Sequence, residues 1–514
     1  MRVCTSVCGV LFLIAIWARH INAQDSKAPF TISKETTHVT EPRGEDGLID
    51  YIEALSQRQR EGVTTDNNSV VLFRRASGHN ELSEEFAEEY FTQLGMEVLP
   101  KAGDYLIPDY KFDRSLDASQ LPKVSGDGGE RKREAQSRPW TRDEFPLVAQ
   151  WIDVNEKPLA IAVEGSKRPK YFSPMLPNKG TVVAVQLPDI QNSRSMMRLL
   201  SARAMLRLGE NNVEAAWRDV MACHRIARLN AQGSFLIDFL VAMTIENVAC
   251  HCDYQIANSD LTSEQAIRFS KELRELGIVG LSATKIDTGE RYIFLDAVGK
   301  LSVTGVKAMD EITGPGAYGI NREAFQRAML NKQVDWDVVL RTGNESLDRR
   351  VAIAKLTPRL KRQPEIARYF TDLQRERAGI SRELGMATIR LLSQGKMFEI
   401  ALFDAEDRCF MCEELSQCAF ALAAWRADHG NYPSQLEQLA PKYLKSIPID
   451  TYTGKSLVYR RSDSGFLLYG IGMNLRDDNG FSFGEGDDTD DLVVRSSDED
   501  QRIRAAAKKF NSEN

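Results

Sequence analysis

The sequence predicts a mainly α protein: an irregular array of helical hairpins followed by a small α+β module at the C-terminus. Three observations predict it. From Ser193 to Gln394, apolar residues recur at helical spacing in segments broken by glycine and serine. From Ala421 to Leu492 the pattern changes to the end of an apolar-striped helix, a Gly430-Asn431-Tyr432-Pro433 break, a short helix, two strand-like runs and an acidic, glycine-rich loop. The composition, 42% hydrophobic and 27% charged, is that of a soluble globular chain, and 514 residues are too many for one ordinary core.

Charge and the N-terminus limit the function classes. A net charge of −7 argues against general nucleic-acid binding, which needs a basic surface. Residues 1–23 have the form of a secretory signal peptide: Arg2, then an apolar run from Val3 to Ala18, then Ile21-Asn22-Ala23 with a small residue before the cut. The run is shorter than the roughly 20 residues of a full span. Retention as an N-terminal anchor is the competing reading. A lipoprotein is disfavoured, because Cys4 and Cys8 lie too early and lack a small residue before them. No later segment is apolar enough to span a bilayer. Export permits disulfides, but Cys223, Cys250, Cys252, Cys409, Cys412 and Cys418 are too sparse for a disulfide scaffold.

Residues 24–46 are polar and poor in large apolar side chains, and are expected to be a disordered leader. Residues 47–192 form a mixed N-terminal region. Helices are expected at Gly47–Gly62 and Asn80–Leu94, each stopped by glycine, and a charged linker over 111–138 containing Arg131-Lys132-Arg133. Phe145, Val148, Ala149, Trp151 and Ile152 have helical spacing. Lys167-Arg168-Pro169-Lys170 beside Tyr171 and Phe172 suits an exposed turn flanked by anchoring aromatics, or a grip on an anion or glycan.

The helical array occupies 193–396. Its helices are one carrying Met196, Met197, Leu199, Leu200, Ala204, Leu206 and Leu208 and closed by Gly209, then Val213–Leu229, Phe235–Ile256 and one starting at Thr262-Ser263-Glu264-Gln265 with Leu261 as a staple; Ile366–Leu373 lies in a later one, and an irregular loop surrounds Gly314-Pro315-Gly316. The succession resembles a tetratricopeptide-like stack, but no regular repeat of about 34 residues is present. Cys250-His251-Cys252, with Cys223-His224 upstream, suggests zinc, yet helical residues two apart point about 200° from each other, so core thiols are expected. Cys409-Phe410-Met411-Cys412 has redox spacing but lies inside an apolar stripe rather than at a helix N-terminus. No GxSxG, HExxH, P-loop or Rossmann pattern occurs.

The module spans 397–495, before a polar tail at 496–514. Met397 to His429 is expected as one helix ended by Gly430, followed by a capped short helix at Ser434-Gln435-Leu436-Glu437 and strands at Lys455–Arg460 and Gly465–Ile471. The run Asp428-His429-Gly430-Asn431-Tyr432-Pro433, then Leu436, Leu439, Ile447-Pro448-Ile449-Asp450, Gly454, Tyr459, Gly465-Phe466 and Leu468-Tyr469-Gly470-Ile471-Gly472 resembles the periplasmic domain of the type II secretion major pseudopilin. The rest of the chain resembles uncharacterised secreted bacterial proteins. The pseudopilin resemblance implies a calcium ion in the loop after the last strand, with Asn474, Asp478, Asp490 and Asp491 as side-chain ligands. A solvated acidic loop is the competing reading. Two positions depart from the family: Asn474 replaces an aspartate, and Thr451 replaces the proline after Asp450. The long helix also lies deep in the chain and carries Glu399, Asp404, Glu406, Asp407 and Arg408, so pilin-like polymerisation is not expected.

The expected function is a secreted or periplasmic scaffold with a protein partner at the cell envelope and a calcium-stabilised C-terminal module. The alternative is an envelope or extracellular hydrolase acting on peptides or glycans, with its site near Trp140–Tyr171.

Overall fold

Apolar periodicity and well-formed helix ends explain most of the architecture. The computed structural model describes residues 28–116, 127–176, 180–305, 334–375, 396–463 and 465–503, with isolated positions 308, 379, 381, 382 and 384. The expected signal segment and the Gly314-Pro315-Gly316 loop lie outside the described residues. The chain is mainly helical, with a small three-stranded antiparallel sheet near the C-terminus. Among the described residues, no helix is long and apolar enough to cross a membrane.

The first half runs through α1 (Tyr51–Arg60), α2 (Ser69–Ser77), α3 (Ala87–Gln93), α4 (Asp109–Ser115), α5 (Asp127–Ser137), α6 (Pro146–Val154) and α7 (Glu156–Gly165). The central helices are α8 (Pro188–Gly209), α9 (Val213–Asn230), α10 (Leu236–Asn258) and α11 (Ser263–Glu275). Then come α12 (Ser282–Lys285), α13 (Arg291–Thr304), α14 (Trp336–Ala354), α15 (Arg362–Arg375) and the long α16 (Lys396–His429). Their ends follow local chemistry. Pro188 opens α8, where a missing N–H is harmless. Thr262 and Gln265 form the capping box of α11. Gly430, at φ +75°, takes the left-handed position after α16.

α9 packs against both α8 and α10, and α16 packs against α10 and α11. Three of these helices meet at an aromatic cluster: Trp217 of α9 stacks on Phe269 of α11 at 4.5 Å, and Phe420 of α16 meets Trp217 edge-on at 5.4 Å. All six described cysteines are buried and unpaired. Burial pushes the Cys412 thiol up to about 11, which suits a core residue and not a redox thiol.

The sheet has the order β1 (Val458–Arg461), β2 (Phe466–Gly470), β3 (Leu492–Arg495), with Tyr459 opposite Leu468 and Leu468 opposite Val494. Asp450 locks it to the preceding turn. One carboxylate oxygen accepts from the Tyr452 and Thr453 N–H groups, and the other from Ile471 N–H at 2.6 Å. The short helix after Pro433 is a single 3₁₀ turn, Leu436–Leu439. Gln438 Oε1, not Glu437, accepts from the Gln435 N–H at 3.0 Å, so the expected cap is displaced by one residue.

Several expectations need correction. Residues 28–46 are ordered where described. Thr36 and Thr37 are buried, Asn344 Nδ2 donates to the carbonyls of Glu35 and Thr36, both at 3.0 Å, and Tyr51 Oη donates to Thr37 O at 2.9 Å. Polar composition hid this, because hydrogen bonds to a distant helix hold the segment. The 111–138 linker carries most of α4 and all of α5; Phe112 and Ala135 are buried, and Trp140 Nε1 donates to Ala135 O at 2.9 Å. The Asn80–Leu94 helix starts only at Glu84, as a 3₁₀ turn. Asn80 is a latch instead, its carbonyl accepting from Arg74 and its amide donating to Leu106 O at 2.6 Å. In the polar tail, residues 497–503 are helical and Ile503 packs on Leu467 and Tyr469. One hydrophobic cluster runs from Ile49 to Val494, so the core is continuous across the 192/193 and 396/397 boundaries.

Replacing Asn344 by Ala removes both donors from the Glu35 and Thr36 carbonyls. The expected loss is about 1–3 kcal/mol, read by denaturant unfolding, together with faster amide exchange at residues 31–39. Unchanged exchange there would show that Asn344 does not hold the segment.

Candidate metal centre

The loop between β2 and β3 is built from short polar turns. Strand pairing brings its ends together, with Gly470 opposite Leu492. Asp477 Oδ1 accepts from the Asn479 N–H at 2.9 Å and from Tyr469 Oη at 2.8 Å. Leu475, Asn479 and Asp488 adopt positive φ, so the chain turns tightly even without glycine.

These turns bring Asp478, Asp490 and Asp491 together, with one carboxylate oxygen from each lying within 4.8 Å of the others. Asp478 Oδ1 accepts from Arg476 Nε at 2.6 Å, and its Oδ2 accepts from the Asp490 N–H at 3.0 Å. Asp490 Oδ2 accepts from the Asn474 N–H, and Asp491 Oδ2 from the Gly480 N–H. The remaining oxygens, Asp490 Oδ1 and Asp491 Oδ1, are buried and accept no hydrogen bond. Burial pushes Asp491 up to about 7, with Asp478 and Asp477 adding to the shift and the Gly480 N–H opposing it. Burial also acts to raise Asp478, but hydrogen bonds from Asn474 and Arg476 outweigh it and hold that carboxyl below its ordinary value.

Three of the four expected ligands therefore converge. Asn474 is adjacent but presents nitrogen: its Nδ2 donates to Asp478 Oδ2 at 2.9 Å, while its Oδ1 accepts from the Arg476 N–H at 2.7 Å. Two neighbours escaped the sequence reading. Arg476 places a resident cation on Asp478, a signal visible as one arginine between Asn474 and Asp478. Asp404 of α16 lies close enough to Asp490 to be raised by it, after the larger effect of its own burial. No spacing rule links those two.

A second cluster lies in the helical array, with His224, Glu246 and Asp253 fully buried. His224 of α9 lies between two carboxylates of α10, with Nδ1 2.9 Å from Glu246 Oε1 and Nε2 3.2 Å from Asp253 Oδ2. Arg228 bridges Glu246 at 2.8 Å and Glu413 of α16 at 3.1 Å. Burial works to lower His224, but Glu246 and Asp253 outweigh it and lift the imidazole to about 10. Glu413 is pushed up to about 9 by burial and by Glu246. His224 is thus an ion-pair partner in the core rather than a zinc ligand beside Cys223. The spacing of Glu246 and Asp253, two helical turns apart on one face, was the legible part.

The expected hydrolase junction near Trp140–Tyr171 is packed, with Trp140, Phe145, Trp151, Tyr171 and Phe172 buried. A cavity of about 500 Å³ elsewhere gathers Asp50, Glu53, Glu89 and Asp296. Burial holds Asp296 above the ordinary range, yet its oxygens are engaged by Lys300 at 2.7 Å and the Val182 N–H at 2.9 Å. Asp50 caps α1 through the Glu53 N–H. Comparison with protein-family profiles, curated proteins and solved structures finds no match to this chain.

The pH dependence of stability tests the buried cluster. His224 binds its proton more tightly folded than unfolded, so its contribution is fully present below pH 6.5 and is lost as pH rises through about 10. His224→Ala leaves Glu246 and Asp253 facing an empty position, and the expected loss near pH 7 is about 3–5 kcal/mol. Urea unfolding between pH 6 and pH 10.5 should show a steeper decline in the wild type than in the variant. Parallel profiles would mean that His224 is not charged in the fold.

Proposed function

We propose that the chain is a secreted or periplasmic scaffold that engages a protein partner at the cell envelope through a calcium-stabilised C-terminal module. The observation that carries this reading is the pair of buried, unpaired oxygens of Asp490 and Asp491 beside Asp478. Calcium takes six to eight oxygens, carboxylate and carbonyl alike. Asp478, Asp490 and Asp491 would hold the ion with loop carbonyls. Asn474 would join by presenting its oxygen, and Arg476 would yield Asp478. The pseudopilin resemblance of residues 421–492 supports the same ion at the same loop. The partner surface is drawn from that loop too, because Leu475 is 58% and Phe483 81% exposed. Ordering the loop would fix both side chains for contact. The hydrolase alternative would rest on the acidic cavity, whose Asp296 is already engaged.

The test is thermal unfolding of the exported full chain with calcium and with chelator. With Kd on the order of 10⁻⁵ to 10⁻³ M, a hundredfold excess of calcium stabilises by about 2.7 kcal/mol. Asp490→Asn and Asp491→Asn should each remove most of the midpoint rise, and Asp498→Ala should retain it. Equal midpoints with calcium and chelator in the wild type would end the calcium reading. A photo-crosslinker replacing Phe483 should trap one envelope protein in calcium and none in chelator.

A further inference from the structure

We propose that a cavity bounded by the end of α1, the turn between α9 and α10, and the segment after α12 binds a small ligand carrying a phosphate or carboxylate group. The cavity has a volume of about 490 Å³, and Arg58, Lys170 and Lys285 line it against one carboxylate, Glu61. Three cations facing one acid give it an excess of positive charge.

The unusual feature is how these cations are partnered. Elsewhere in the core several buried arginines meet an acid: Arg74 meets Asp189 at 2.8 Å, Arg203 meets Asp219 at 2.7 Å, and Arg362 meets Asp407 at 3.1 Å. Lys285 is only 6% exposed, yet its Nζ donates to a backbone carbonyl, Gly233 O. The nearby Asp238 carboxylate accepts from the Phe235 N–H at 2.9 Å. Burial pulls the Lys285 ammonium down to about 8, with Arg58 acting in the same direction and Asp238 opposing. Arg58, exposed on the last turn of α1, makes no side-chain hydrogen bond or ion pair among the described residues. Among the described residues Lys170 Nζ reaches only the Glu61 carbonyl, at 3.5 Å. An anion between them would supply the missing countercharge.

The backbone beside the cavity is also unusual. Residues Ile286–Glu290 form a π-helical turn, a feature frequent at functional sites. It lies so close to the next turn that a Cβ on Gly289 would stand 2.4 Å from Ser234 O. That approach brings the Gly233 carbonyl to Lys285 and sets Ser234 and Thr288 in the cavity wall. Gln59 adds a requirement, since its Oε1 is buried without a donor. A ligand with a hydroxyl or amine beside its anionic group would satisfy that oxygen.

Equilibrium dialysis of the exported full chain against inorganic phosphate, acetate and glycerol 3-phosphate tests the site. The wild type should bind phosphate or acetate saturably, one per chain, and the tighter of the two names the group recognised. Tighter binding of glycerol 3-phosphate than of phosphate is expected if the ligand hydroxyl reaches Gln59. Arg58→Gln and Lys285→Met should each weaken binding by about tenfold or more, and Lys271→Gln, on exposed α11 surface, should not. Arg58 has no side-chain partner among the described residues, so its variant remains informative if Lys285→Met fails to fold. No saturable binding of any of the three probes, or equal binding by wild type and Arg58→Gln, would overturn the proposal.

Discussion

Arg228, gripping one carboxylate on α10 and another on α16, is the contact on which the arrangement of the helices depends. One face of α16 carries small residues four apart, Ala419 and Ala423, both buried. Such a face allows close approach but gives little resistance to sliding, since small side chains interdigitate weakly. A charge network has no such tolerance. Moving α16 by one turn would take Glu413 about 5.4 Å along the axis, beyond the reach of Arg228, and leave a cation buried without its second acid. The aromatic cluster of Trp217, Phe269 and Phe420 adds a shape constraint at the same interface. Burial and the neighbouring Glu246 push Glu413 up, and Arg228 opposes that shift.

Legibility from sequence followed the range of the interactions. Residues 213–229 were legible as a helix because the apolar period and the glycine-serine break after it agree, and the observed helix Val213–Asn230 differs by one residue. α8 begins five positions before Ser193, because its first turn, Pro188-Asp189-Ile190-Gln191, holds a single isoleucine and is too short to show an apolar period. β3 was missed for a related reason: Leu492–Arg495 is too short for alternation to declare itself, and its pairing partner lies across the whole acidic loop. Residues 28–46 carried no local signal, since Asn344 holds them from more than three hundred positions away. The His224 cluster likewise joins three helices through contacts that no spacing rule connects.

The acidic loop was legible in composition and less so in geometry. Asp478, Asp490 and Asp491 converge because β2 and β3 pair at Gly470 and Leu492, bringing the two ends of the loop side by side. Asn474 was legible as a neighbour of the triad but not in its orientation, which is set by competition between the Arg476 N–H for its oxygen and Asp478 for its nitrogen.

Charge pairing divides the molecule into settled and unsettled places. In the helical array, acids and cations neutralise one another: Arg362 with Glu406 and Asp407, Arg203 and Arg207 with Asp219, His224 with Glu246 and Asp253. In each of these pairs opposite charges already meet, and an arriving ion would have to displace a partner in place. Two sites differ, with opposite sign. The C-terminal loop keeps two buried carboxylate oxygens without donors. The cavity beside the π-helical turn keeps cations whose polar contacts, where they have any, are to backbone carbonyls. A buried group left without its countercharge costs more than an exposed one. The fold retains both against that cost, which a cation at the loop and an anion at the cavity, as proposed above, would offset. The segments that hold them, a tight acidic loop and a π-helical turn, depart from the regular helices that supply the rest of the core.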